Sequence, residues 1–91
     1  MGRVIITLKI MPSDLSVNLD EVSAQAERMI SEFGGAVGKR EIEPVAFGLK
    51  AIKIIFILDE KVGGTDVLEQ KISSIPGVES VNVVDVRRAI G

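Results

Sequence analysis

Residues 49–59 read Leu-Lys-Ala-Ile-Lys-Ile-Ile-Phe-Ile-Leu-Asp. Taken as an extended chain with a period of two, they put Ile52, Ile54, Phe56 and Leu58 on one face and Ala51, Lys53, Ile55 and Ile57 on the other. The strand is nearly apolar on both sides. Downstream, Gly63-Gly64 breaks the chain, and Asp66, Val67, Leu68, Ile72 and Ile75 then follow an amphipathic helical pattern that Pro76-Gly77 stops. Val78 to Arg88 is a further strand. Val81 and Val83 point one way in it and Val84 and Val86 the other, a change of phase that implies a bulge without locating it.

Upstream, Ala36 to Glu43 is a polar extended segment holding only Val37 and Ile42 as large apolar residues. It ends at Pro44, which has no N–H for a central ladder, so this strand belongs at the periphery. The segment before it is a helix. Asn18 caps it with Glu21 at the third helical position, Val17 and Val22 can close as a staple, and Gly34-Gly35 ends it. Its apolar stripe is Leu19, Val22, Ala26, Met29, Ile30 and Phe33. Pro12-Ser13-Asp14 separates the helix from an opening strand, Arg3 to Met11, with Val4, Ile6, Leu8 and Ile10 on one face.

The order is βαβ twice. Right-handed crossovers place both helices on one side, giving an α+β, ferredoxin-like split βαβ sandwich (βαββαβ): a four-stranded antiparallel sheet with two helices on one face. The other face is left open, and Ile5, Ile55 and Ile57 fall on it. They read as scattered surface residues, as a face for a homo-oligomer, or as a functional contact.

With 91 residues, 46% of them apolar and 26% charged, the chain is expected to be a single globular domain over 1–91, burying roughly two-thirds of its unfolded surface. A net charge of −2 disfavours direct nucleic-acid binding, which usually needs a basic excess. The absence of cysteine removes disulfides and thiolate metal sites and suits a reducing, cytoplasmic address. The longest apolar run, Ile54 to Leu58, is far short of the roughly 20 residues of a membrane span, so no membrane partner is expected.

Chemistry is limited by what is missing. His, Cys, Tyr and Trp are all absent, which removes the usual general base, thiol nucleophile, phenolic acid and soft metal ligands together. The 13 carboxylates show no calcium-loop spacing, so neither a metal nor a cofactor is expected. Gly34-Gly35-Ala36-Val37-Gly38-Lys39 is no phosphate loop: its glycine spacing is one short, Arg40 stands where Ser or Thr is needed, and it joins helix to strand. A helix C-cap and turn account for it. Gly63-Gly64-Thr65 precedes a helix, but Asp66 places negative charge at that terminus, so a turn and N-cap fit better than an anion site. An RNA-binding sheet would need aromatic residues on its open face, and Phe33 and Phe56 belong to buried stripes.

Phe47 is the exception. It lies between two strands, in Glu43-Pro44-Val45-Ala46-Phe47-Gly48-Leu49-Lys50, outside any periodicity that would bury it. It either folds back over the end of the core or serves as an anchor on a turn stiffened by Pro44 and aimed by Gly48.

Three stretches carry a family resemblance: Pro44 to Lys53, Gly63-Gly64-Thr65, and Gly77-Val78 through Val84-Asp85-Val86-Arg87-Arg88. Through them the whole chain resembles the archaeal elongation factor 1-beta family and the nucleotide-exchange domain of its eukaryotic counterparts. The resemblance implies an exchange factor whose partner is elongation factor 1-alpha, the GTPase that delivers aminoacyl-tRNA. It also implies that Phe47 contacts the GTPase, and the candidate partner-binding residues are Pro44, Phe47, Gly48, Lys50, Arg87 and Arg88. Eukaryotic members direct a lysine near the chain terminus at the GTPase's magnesium site. Here Ala89-Ile90-Gly91 ends the sequence and no lysine follows Lys71, so Arg87 and Arg88 are the nearest cations. The rival reading is a ferredoxin-like regulatory or oligomerising module that binds a small metabolite.

Overall fold

The doubly apolar segment takes an interior place in the sheet, paired along both edges, with one face on the core and the other on the open side. In the computed structural model, which describes residues 2–89, the elements run β1 (Arg3–Pro12), α1 (Leu19–Phe33), β2 (Ala36–Pro44), β3 (Lys50–Asp59), a 3-10 turn (Glu60–Val62), α2 (Asp66–Ser73) and β4 (Val78–Ala89). The strand order is β2-β3-β1-β4, with every neighbouring pair antiparallel. This is the ferredoxin-like α+β arrangement, and β2, with its terminal proline, is an edge strand.

Register explains the core. Ile6, Leu8 and Ile10 of β1 stand opposite Phe56, Ile54 and Ile52 of β3, and all six side chains are buried. Val22, Ala26 and Ile30 of α1 and Leu68 and Ile72 of α2 close over them. Burying each large aliphatic side chain contributes roughly 1.5–3 kcal/mol, so this stack is the main source of stability. α1 starts as its sequence requires: the Asn18 side chain accepts a hydrogen bond from the Glu21 N–H at 3.1 Å. It ends on Gly34 in the left-handed region, φ 108°, whose N–H reaches the Ile30 and Ser31 carbonyls. The Gly34 to Lys39 stretch is thus a C-cap running into β2.

Two details depart from the sequence reading. Ser23 shares the buried face of α1 although its residue type hides it from an apolar stripe, and its hydroxyl has no hydrogen-bond partner among the described residues. The bulge that changes the phase of the valines in β4 is also located: Val83 faces Leu8 and Asp85 faces Thr7, leaving Val84 as the extra residue, while a second irregularity lies near the start of the strand, where Ser80 faces Met11 and Val78 faces Pro12. The Val84 insertion resets the alternation. Val86 therefore lies opposite the buried Ile6, on the side of Val81 and Val83, and does not share a face with Val84 as the simple alternation suggested. No helix among the described residues is long and apolar enough to cross a membrane.

Candidate partner-binding site

β2 and β3 are joined by a tight hairpin whose tip is Phe47. Leu49 N–H donates to the Ala46 carbonyl at 2.9 Å, and Val45 N–H donates to the Leu49 carbonyl at 2.8 Å. Between them Phe47 has φ 55° and Gly48 has φ 80°, the two positive values of a type I′ turn. Gly48 adopts its angle without cost. A phenylalanine there is a different matter, since a non-glycine residue held in the left-handed region stores about 1 kcal/mol or more. The strain is not offset by packing, for Phe47 is 94% exposed. The ring is therefore not folded back over the end of the core, which removes one of the two sequence readings of its position.

The root of the hairpin is tied to the sheet by charge. On the open face, Glu43 Oε2 lies 3.6 Å from Lys9 Nζ and 3.4 Å from Lys53 Nζ. That oxygen is shielded from solvent and accepts no directed hydrogen bond from the described residues, so the two ammonium groups hold it electrostatically. Pro44 and Lys50 close the ladder as register partners just below the turn, and both are exposed. The β1–α1 loop lies alongside: a Cβ built on Gly48 would stand 3.3 Å from Leu15 Cδ2. Leu15 was invisible to periodicity. The one signal it gave was an apolar residue isolated among Ser13, Asp14 and Ser16.

Arg87 and Arg88 lie at the far end of the sheet. Arg87 is opposite Ile5, and Arg88 is opposite Val4. Because neighbouring residues of a strand point to opposite faces, the two guanidinium groups leave on different sides. Each meets a carboxylate of its own domain, Arg87 Nε with Asp85 Oδ2 at 2.9 Å and Arg88 Nη2 with Glu60 Oε1 at 2.7 Å. Ile90 and Gly91 lie outside the described residues.

The six residues singled out from sequence therefore form two groups. Pro44, Phe47, Gly48 and Lys50 gather at the hairpin end of β3, while Arg87 and Arg88 sit beside its other end, reached through β1. Nine residue steps along β3, from Lys50 to Asp59, separate the ends by roughly 30 Å. Near the second end, Thr65 occupies the N-cap position of α2, but its hydroxyl donates to Glu69 Oε2 at 2.9 Å and caps no backbone amide. Ile5 and Ile55 on the open face are half-buried, and Ile57 is 36% exposed. Among the described residues no group of three or more carboxylates is placed to hold a metal ion.

Comparison with known proteins adds an independent line. Residues 5–89 match the family described as the EF-1 guanine nucleotide exchange domain. Elongation factor 1-beta of Methanococcoides burtonii is 41% identical over 90 residues, covering 99% of this chain and 100% of that one. Elongation factor 1-beta of Methanobrevibacter smithii is 40% identical, covering 97% and 98%, and that of Staphylothermus marinus is 37% identical, covering 97% and 98%. The C-terminal domain of the MgtC protein from Mycobacterium tuberculosis is similar in fold, with a TM-score of 0.61 at 15% identity, covering 98% of this chain and 88% of that one. At so low an identity the last likeness speaks for the architecture alone. With the family profile spanning β1 to β4 and full-length relatives on either side of 40% identity, this chain belongs to the EF-1 guanine nucleotide exchange domain family.

Proposed function

We propose that the chain promotes GDP-to-GTP exchange on elongation factor 1-alpha, in the cytoplasm, by binding alone and with no covalent step of its own. Family membership gives the coarse function, guanine-nucleotide exchange in translation elongation. The finer reading rests on one observation: a phenylalanine fully presented to solvent on a strained, hydrogen-bonded turn. Strain retained without a folding benefit points to a contact made elsewhere. Phe47 is the anchor, Pro44 and Gly48 set the turn that carries it, and Lys50 adds a cation beside it.

The energetics follow from linkage. A protein that binds the nucleotide-free GTPase more tightly than the GDP-bound form weakens GDP by the same factor, and GTP refills the site by mass action. Magnesium in the GTPase is the natural target, because it demands a near-ideal octahedral shell and bridges nucleotide to protein. A cation brought against that site would compete with the ion. Arg87 and Arg88 leave on opposite faces, so a single partner surface at that end engages one of them, after its pair with Asp85 or Glu60 is exchanged.

Titration of purified elongation factor 1-alpha tests the proposal. A stoichiometric complex that tightens when GDP and magnesium are removed supports it. A complex of equal affinity with and without GDP contradicts it, since equal affinity shifts no equilibrium.

A further inference from the structure

We propose that Leu15 is a second contact to the same GTPase, so that the β1–α1 loop and the β2–β3 hairpin grip one apolar segment of it between them. The inference rests on the reading of Phe47 above. Leu15 is 71% exposed, and its neighbours Ser13, Asp14 and Ser16 are exposed polar residues. It buries little of itself in the fold, and a polar residue would serve a connecting loop as well.

The loop is nevertheless built to hold it. Asp14 Oδ1 accepts from the Ser16 N–H at 2.8 Å and from the Ser16 hydroxyl at 2.5 Å, and the Ser13 N–H donates to the Gly77 carbonyl at 2.9 Å. These bonds set the direction of Leu15 in advance, which lowers the ordering cost of a contact made there. Its Cδ2 points at the turn, 3.3 Å from where a Gly48 Cβ would lie. Between loop and hairpin is a cleft of about 250 Å³ whose lining includes Val17, Leu19 and Leu49, with Asp14 and Lys50 also on its walls. The cleft offers the side chains of Leu15, Val17, Leu19 and Leu49 to an incoming apolar group and those of Asp14 and Lys50 to its polar surroundings, the mixture of apolar contact and polar rim found at interfaces. The occupant is an apolar side chain of the GTPase, entering beside Phe47.

The test is the affinity of nucleotide-free elongation factor 1-alpha for Leu15→Ala, Leu15→Asp and Phe47→Ala. Alongside, the denaturant midpoint and the exchange rate of the Leu49 amide are measured. Leu15→Ala should weaken the complex by about tenfold, with midpoint and Leu49 amide unchanged. Leu15→Asp should weaken it further, because a carboxylate would be desolvated without a partner. Wild-type affinity in both Leu15 variants while Phe47→Ala binds poorly would overturn the Leu15 contact and leave the hairpin reading standing. Wild-type affinity in Phe47→Ala as well would overturn both. Weaker binding accompanied by faster Leu49 exchange would mean that Leu15 acts by bracing the turn, which also overturns a direct contact.

Discussion

The two ends of the sheet solve the problem of presenting a side chain in opposite ways. At the hairpin end the exposed group is apolar, has no partner in its own domain and sits on a backbone angle that resists it. At the far end the exposed groups are charged, lie on ordinary strand backbone and are already paired with Asp85 and Glu60. A surface ion pair is worth at most about 1 kcal/mol and is screened by salt, so exchanging it for another carboxylate or a phosphate changes little net energy. Burying a phenylalanine has no such competitor. Under the proposed function, the hairpin end supplies affinity, while the far end supplies selectivity between states of the partner.

That division predicts separable phenotypes, and the largest effect should come from the core between the two ends. Phe56→Ala, at a fully buried site, should cost about 3–5 kcal/mol of unfolding free energy, read from the denaturant midpoint, while the folded fraction still drives exchange. Loss of exchange in molecules shown to be folded would mean that the ends are coupled through the sheet.

A matched pair of glycine substitutions sharpens the contrast. Gly48→Ala places a side chain at φ 80° and against Leu15, and should cost about 1–3 kcal/mol of stability together with partner affinity. At the other end a Cβ on Gly64 meets nothing within 4 Å and no positive φ opposes it. Gly64→Ala should then be neutral or raise stability by about 0.4–1 kcal/mol. Equal costs at both positions in thermal or denaturant unfolding would erase the asymmetry.

How much of this was legible beforehand depends on whether a residue's role had a period. Strand β3 announced itself through apolar residues at every other position on both faces, and α1 through its cap and stripe. Phe47 was legible by exclusion, as an aromatic with no face to join. Ser23 was missed because its burial contradicts its polarity, and Val86 was assigned to the wrong side because one inserted residue inverts all that follows. The separation of the site into two ends was hidden for another reason: it depends on which strands pair, and pairing joins residues distant in the chain. The opposite directions of Arg87 and Arg88 follow from alternation, as does the pairing of Arg87 with Asp85 two residues back on its face, but Arg88's carboxylate partner appears only once Glu60 is brought beside β4.

The arginines should show a smaller and more conditional effect. Arg87→Ala and Arg88→Ala, made singly, should each change folding stability by less than about 1 kcal/mol, an effect that fades in high salt. One of them should slow GDP release with magnesium present while leaving complex formation nearly intact, and the other should not. Equal slowing by both would contradict their placement on opposite faces.

The smallest effect belongs to the β1–α1 loop. Hydrogen bonds from the Ser16 hydroxyl and then its amide hold the Asp14 carboxyl below the ordinary aspartate range. A lowered folded-state pKa means that this stabilisation is fully present above the ordinary aspartate value and is lost as pH falls through the lowered one. Acidification should therefore shift the Ser16 amide resonance with a midpoint below that of an unpaired aspartate, without a global transition at the same pH. An ordinary midpoint would mean that the loop is not latched in solution.

The central claim, that the hairpin tip serves binding and not folding, is tested most directly by Phe47→Ala, with the denaturant midpoint and stimulated GDP release measured on the same preparation. The expected result is a midpoint at the wild-type value and a loss of about thirtyfold in affinity for the GTPase, the 2 kcal/mol typical of an aromatic hot spot. A variant destabilised by about 3–5 kcal/mol that drives exchange normally whenever it is folded would contradict it.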